Sequence, residues 1–208
     1  MSDDPYDLIE VLERSRALGF LGPGPVVDHL AHAEAFAAAI GDVPGTVVDL
    51  GSGGGVPGLV LACRRPAART ILLDGSVKRA AFLNEVVDEL GLADHVEVWA
   101  ERAEDVGRDS ARRSFAEVVV SRSFGAPAVV AECAAPLLCR GGRLVVSEPP
   151  TGEQPVGTRW PAEGVAMVGL KVEATIPGPP AFTVLRQERT CPDRYPRRVG
   201  IPSKRPLF

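Results

Sequence analysis

Apolar residues recur at helical spacing in two runs near the start of the chain, 6–18 and Val26–Ile40, and Gly22-Pro23-Gly24-Pro25 interrupts any helix between them. Beyond residue 45 the period changes. Thr46–Leu50 (TVVDL) predicts a short buried strand, the glycine cluster at 51–55 a turn, and Pro57 the first residue of a helix, where its missing N–H costs nothing. The alternation then repeats, with a strand at 70–74 and an amphipathic helix at 77–90 stopped by Gly91. A strand at 96–99 and a short helix at 103–106 follow, then a strand at 116–121, a helix at 128–138 and a strand at 143–147. Two more strands, 172–176 and 182–187, are joined by Pro177-Gly178-Pro179-Pro180 and predict a hairpin that adds an antiparallel strand at one edge.

Strands alternating with helices call for right-handed crossovers, so the expected fold is a doubly wound α/β domain with a mainly parallel, seven-stranded sheet covered on both faces. The expected organisation is a helical segment over 1–44 packed on the core, the α/β body over 45–190 and a tail over 191–208, within a single structural domain. The Pro/Gly-rich zone at 148–157 is the low-complexity stretch, and no internal repeat is visible.

With 45% hydrophobic and 24% charged residues the profile is globular. A chain of 208 residues buries roughly 70% of its unfolded surface, enough for a three-layer core without metal or disulfide staples. Cys63, Cys133, Cys139 and Cys191 form no Cys-x-x-Cys pair and none has a histidine at metal-ligand spacing, so reduced thiols and no metal are expected. The acidic start lacks a secretory pattern, and no apolar run has membrane-spanning length. The expectation is a cytoplasmic monomer that binds neither membrane nor DNA.

Charge is unevenly distributed. The formal net charge is −4, yet from Arg186 onward seven bases face two acids, a net of +5 that leaves about −9 on the rest. Such a segment either docks a polyanion, because phosphate attraction follows local potential, or is a solubilising, frayed terminus.

Asp49-Leu50-Gly51-Ser52-Gly53-Gly54-Gly55 places an acid at a strand end before Gly-x-Gly-x-Gly, a backbone that turns sharply and admits a ligand where a Cβ would stand. Asp49 is suited to organising the turn's amides or reaching the ammonium of a bound amino acid. Gly53-x-Gly55-x-x-Gly58 formally matches the dinucleotide fingerprint, but its first glycine comes too late after the strand, which disfavours a nicotinamide cofactor. Asp74, ending the second strand, either accepts ribose hydroxyls or caps the helix that begins at Val77. Ala103 and Glu104 follow the third strand and offer an amide and a side chain to an adenine edge, or simply a solvated first-turn acid. Arg122 ends the fourth strand, placed to neutralise a carboxylate or phosphate, or to pair with Glu132 at the surface. His29 and His32, three apart on one helix, are expected to be surface or packing residues, as is His95.

Asp49–Gly58 (DLGSGGGVPG), 72–83 (LLDGSVKRAAFL), Ser121-Arg122, Pro136-Leu137-Leu138 before Gly141-Gly142-Arg143-Leu144, and the terminal Tyr195-Pro196-Arg197-Arg198-Val199-Gly200-Ile201-Pro202-Ser203-Lys204-Arg205-Pro206-Leu207 together resemble the bacterial small-subunit rRNA guanine-N7 methyltransferases, also called glucose-inhibited division protein B. The resemblance implies a class I S-adenosylmethionine-dependent methyltransferase fold. It also implies cofactor contacts at Gly51, Val56, Ala103, Glu104 and Arg122, and methyl transfer to one guanine of 16S rRNA in the small ribosomal subunit. Joined to the residue reading, the cofactor set becomes Asp49, Gly51, Gly53, Val56, Asp74, Ala103, Glu104 and Arg122, with Arg122 also the expected catalytic or acceptor-positioning group. Arg197, Arg198, Lys204 and Arg205 are the expected RNA contacts.

The chain departs from the family at His29-Leu30-Ala31-His32, where an acid and a serine usually follow a histidine. It departs again at Ser147-Glu148-Pro149-Pro150, where a lysine and a glycine are usual, and its N-terminal helices are shorter and lack the Asn-Leu-Thr stretch. The alternatives are a small-molecule methyltransferase on the same scaffold and a non-catalytic cofactor-binding paralogue that binds RNA.

Overall fold

Helices α1 (Pro5–Ala17) and α2 (Val26–Ile40) form where the apolar spacing places them, separated at the Gly22-Pro25 step. They are seen in a computed structural model that describes residues 5–42, 45–149 and 156–208. The strands are β1 (Thr46–Leu50), β2 (Arg69–Leu73), β3 (Val96–Trp99), β4 (Ala116–Ser121), β5 (Leu138–Ser147), β6 (Leu170–Ile176) and β7 (Phe182–Gln187). Among the described residues these seven make one sheet in the order β3-β2-β1-β4-β5-β7-β6, with β1 to β5 parallel and β7 antiparallel to both β5 and β6. The antiparallel strand therefore lies one place in from the edge rather than on it. The short return at 177–181 brings β7 back between β6 and β5.

Helices α3 (Gly58–Arg64) and α4 (Val77–Glu89) cross over on one face, while α5 (Ala103–Arg108) and α6 (Pro127–Ala134) accompany the strands that grow in the opposite direction. Alternation along each strand feeds both faces. Val48, Leu50 and Val119 pack with α5 and α6, and Val47, Val118 and Val120 pack with Phe36 and Ile40 of α2. Leu8, Val11 and Leu12 of α1 join Leu59, Leu72, Phe82 and Leu83 on the second face. This two-sided burial is why the strands read as continuous apolar runs.

Two boundaries differ from expectation. Pro57 stands at the N-cap position of α3 rather than inside it. The helix expected over 128–138 ends at Ala134, and Leu138 opens β5, because Leu137 and Leu138 are fully buried in a short apolar run whose period cannot separate helix from strand. Leu138 pairs with Ala116, and the register then shifts so that Arg143 pairs with Val118. Three short helices complete the chain: α7 (Val156–Arg159), α8 (Ala162–Ala166) and α9 (Ile201–Lys204). Of the Pro/Gly-rich zone expected over 148–157, residues 150–155 lie outside the described residues.

The tail is docked, not frayed. Cys191 and Tyr195 are buried, and the Arg113 guanidinium donates to the carbonyls of Gly107, Cys191 and Tyr195. Glu132 of α6, fully buried, accepts from the Arg197 amide at 2.8 Å and from its Nε and Nη2 at 2.8 and 2.6 Å. Glu132 thus does not pair with Arg122, and Arg197 is committed to a buried acid instead of being presented to phosphate. Breaking a buried pair from one side leaves an uncompensated charge, which typically costs 3 to 5 kcal/mol. Arg197→Met is expected to destabilise the protein by about 3 kcal/mol in urea unfolding. Adding Glu132→Leu to that variant is expected to recover much of the loss.

Candidate active site

The strand order reverses between β1 and β4, so the chain diverges there and leaves a crevice outside their carboxyl ends, the place where ligands collect in open α/β sheets. A cleft of about 940 Å³ opens at this point. Gly51, Gly53, Val56, Asp74, Glu104 and Arg122 all line it, together with Arg79, Arg102 and Phe124. Asp49 and Ala103 do not; both are buried beneath its floor.

The glycine turn is organised from below. Gly51, Gly53 and Gly55 take positive φ of 77°, 57° and 93°, the left-handed region that glycine enters without penalty. Asp49 Oδ2 accepts from the Gly58 amide at 2.9 Å, and the Ser52 hydroxyl donates to the Asp49 carbonyl at 3.0 Å. Of the two roles open to Asp49, the geometry is that of the first, through the one amide of Gly58 where the turn enters α3, and the side chain does not line the cleft. Burial pushes its carboxyl up to about 7, against the opposing pull of the Gly58 amide, Arg122 and Ser52.

Asp74 Oδ2 accepts from the Gly53 amide at 2.9 Å and Oδ1 from the Ser76 amide at 2.8 Å, while Arg79 lays its fork over both oxygens at 3.0 to 3.1 Å. The residue that caps α4 is Ser76, not Asp74. Asp74 therefore ties the glycine turn to the start of α4 with its carboxylate at the cleft.

Glu104, in the first turn of α5, is buried rather than solvated. Oε1 accepts from the Gly200 amide at 3.0 Å and from Arg102 at 3.3 Å, while Oε2 is buried with no hydrogen-bond partner. Burial raises this carboxyl, but the Gly200 amide, its own amide and Arg102 outweigh it and hold it below the ordinary range. An ionised, buried oxygen without a donor is a place prepared for an N–H or O–H from a ligand.

Arg122 leaves β4 at the cleft's far wall. Burial lowers its guanidinium from the ordinary value and Asp49 opposes the drop. Ser123 follows with φ 58°, a left-handed conformation that costs a serine about 1 kcal/mol and brings Arg122 and Phe124 both to the cleft. The Phe124 ring lies against Gly51, where a Cβ would strike it.

The two helix-α2 histidines, expected to be surface or packing residues, do pack, His32 against Phe36 and Phe182, and what the sequence did not show is that both also line the cleft. Arg122 Nη1 meets His29 Nδ1 at 3.1 Å, and His29 Nε2 meets the Gly22 carbonyl at 3.2 Å. His32 Nε2 meets Ser147 Oγ at 2.8 Å. Burial, then Arg122 and His29, push His32 down to about 4, so it is neutral at neutral pH. The signal available in the sequence was the three-residue spacing, which puts both rings on one helix face. Glu148, unusual for its position, pairs with Arg159 and accepts hydrogen bonds from the Trp160 indole and the Thr183 hydroxyl. Its neighbour Pro150 lies outside the described residues.

Arg198, Lys204 and Arg205 are exposed on the tail and, among the described residues, form no ion pair. Ser203 of the same segment lines the cleft. Among the described residues no cluster of candidate metal ligands occurs, and no helix is long and apolar enough to cross a membrane.

Residues 25–151 match the family model described as rRNA small subunit methyltransferase G. The chain belongs to this family. It is 36% identical to the ribosomal RNA small subunit methyltransferase G of Rubrobacter xylanophilus over 78% of this chain and 65% of that protein. With the protein of the same name from Symbiobacterium thermophilum it shares 36% identity over 88% of this chain and 78% of the relative. The chain thus spans just under two thirds of the first relative's length. Among solved structures, a SAM-dependent methyltransferase from Aquifex aeolicus superposes with a TM-score of 0.60 at 17% identity, covering 84% of this chain and 97% of that one. A mitomycin 7-O-methyltransferase superposes with a TM-score of 0.58 at 21% identity, covering 76% and 53%. These likenesses confirm the expected class I methyltransferase fold of the family.

The raised Asp49 carboxyl predicts a pH signature. The folded state holds this proton up to about 7 while the unfolded chain releases it near 3.8, so the ionised form works against folding. Its destabilising contribution is absent below about 4 and grows through the window to about 7. Asp49→Asn is expected to become progressively more favourable relative to the wild type as pH rises from 4 to 7. Urea midpoints of both proteins across that window check it; a constant difference would remove Asp49 as the cause.

Proposed function

We propose that this chain transfers the methyl group of S-adenosylmethionine to N7 of a guanine in 16S rRNA. The observation that carries the cofactor half is the cleft itself: a glycine turn without Cβ atoms, the Asp74 carboxylate just beyond β2, and the partnerless Glu104 Oε2. That oxygen suits the exocyclic amine of an adenine. Asp74 suits ribose hydroxyls, with the half-exposed Arg79 fork yielding some of its bonds to them. Val56 packs the nucleoside, and Arg122 suits the cofactor's carboxylate on the side that faces the acceptor. Ala103 and Asp49 support these contacts from beneath the floor. Family membership supports the rRNA acceptor, and the small-molecule alternative is not favoured.

Bound S-adenosylmethionine would supply an electrophilic methyl on a sulfonium; N7 would accept it with no proton removed, its bond to the methyl carbon forming as the carbon–sulfur bond breaks and the neutral thioether leaves. The chain's task is then alignment, an effect that can be worth roughly 7 to 11 kcal/mol. No general base is required, in keeping with two cleft imidazoles that are both tied to protein partners.

On the tail, Arg198, Lys204 and Arg205 are the groups proposed to meet RNA phosphates, and Arg197 acts by fixing the segment that bears them. The decisive experiment is methyl incorporation into small ribosomal subunits from a strain lacking this protein, followed by nucleoside mapping. Formation of 7-methylguanosine is expected, and transfer to no RNA under saturating S-adenosylmethionine would overturn the reading. Replacing Arg198, Lys204 and Arg205 together by alanine is expected to raise the KM for subunits about tenfold at physiological salt and to flatten its salt dependence. The affinity for S-adenosylmethionine is expected to change far less.

A further inference from the structure

His29 stands outside the roles assigned above, yet it is buried at the cleft wall and joins three parts of the site. A guanidinium only donates hydrogen bonds, so the His29 Nδ1 facing Arg122 Nη1 at 3.1 Å must be the bare, accepting nitrogen. The ring proton then sits on Nε2, which donates to the Gly22 carbonyl at 3.2 Å. Among the described residues, Nη1 is the one Arg122 nitrogen with a hydrogen-bond acceptor. A single imidazole thus links the end of β4, helix α2 and the Gly22-Pro23 turn, both of whose residues line the cleft.

We propose that His29 is a positioning residue that, through Nδ1, orients the Arg122 guanidinium so that its remaining nitrogens are presented to the cofactor's carboxylate. Arginine is long and flexible, and Asp49 beneath it attracts the guanidinium downward without a direct hydrogen bond. His29 supplies the lateral restraint. Its neighbour His32 is held separately by Ser147 at the end of β5, so α2 latches two successive strand ends with two rings on one face. The functional consequence rests on the S-adenosylmethionine reading, whereas the state of the ring does not.

Two measurements on the full chain separate these levels. Long-range proton–nitrogen NMR is expected to show His29 as the Nε2–H tautomer with an unprotonated Nδ1, whose resonance moves in Arg122→Ala. The Nδ1–H tautomer, or an unmoved resonance, would overturn the contact with no cofactor present. In calorimetry, His29→Ala is expected to weaken S-adenosylmethionine binding about tenfold, with kcat at saturating cofactor changed far less. His29→Asn keeps an acceptor at the δ position and is expected to restore most of the affinity. The double variant His29→Ala/Arg122→Ala should bind no more weakly than Arg122→Ala alone, and additive losses would sink the proposal. A wild-type protein that binds no S-adenosylmethionine would instead count against the cofactor reading, while the tautomer measurement still decides the contact.

Discussion

The buried carboxylate at the end of β1 is the constraint from which the site follows. Asp49 is 1% exposed, and burial raises its carboxyl, so its position is tolerable only with donors turned inward to meet it. The Gly58 amide does so, and for that approach residue 58 must lack a Cβ, which would strike both Asp49 Oδ2 and Leu72. The turn in between then has to reverse in few residues, which fixes left-handed backbone at Gly51, Gly53 and Gly55. The glycines are thus consequences of holding one acid under the loop, and the ligand-facing amide surface is a consequence of the glycines.

From that acid, order passes outward through charge. Arg122 lies within the field of Asp49, His29 receives Arg122, and the Gly22 carbonyl receives His29, so the N-terminal turn is tied to the core of the sheet by polar links. On the opposite side Asp74 ties Gly53 to the start of α4, and Glu104 ties α5 to Gly200 of the tail. Asp74, Arg79, His29 and His32 at the cleft are each held by another protein group before any ligand enters. Such preorganisation lowers the cost of ordering on binding, and against it the partnerless Glu104 Oε2 and Ser121 Oγ stand out at the cleft.

The parts of this arrangement legible in the sequence are those that local rules dictate. A five-residue apolar strand ending in an acid and running into a glycine cluster can be satisfied only at the carboxyl edge of a parallel sheet, so β1, its turn and the cleft could be read directly. The limits of β5 could not, because Ala134 to Leu138 is apolar whichever way it winds and a register shift opposite Ala116 decides it. His29 looked like a packing residue because its partner lies 93 positions away on another strand end. Among the tail's bases, sequence offered no means to tell Arg197 from Arg198. The distinction is made by Glu132, 65 positions earlier, which the fold of α6 buries and which, among the described residues, pairs with Arg197 alone.

That distinction changes what the basic tail is. If all its cations were mobile, RNA binding would have to order the whole segment, at a cost for every rotamer fixed. Here Arg113 gathers its carbonyls, Tyr195 and Cys191 are sunk in the core, and Arg197 is paired with Glu132, so the backbone is already placed. The exposed Arg198, Lys204 and Arg205 form an array on a fixed support, and the Gly200 amide joins that support to the wall of the cofactor cleft. On the proposed function, a phosphate-binding surface and a nucleoside pocket that share one rigid element would hold a fixed distance between them. A methyl transfer governed by alignment requires that fixed distance.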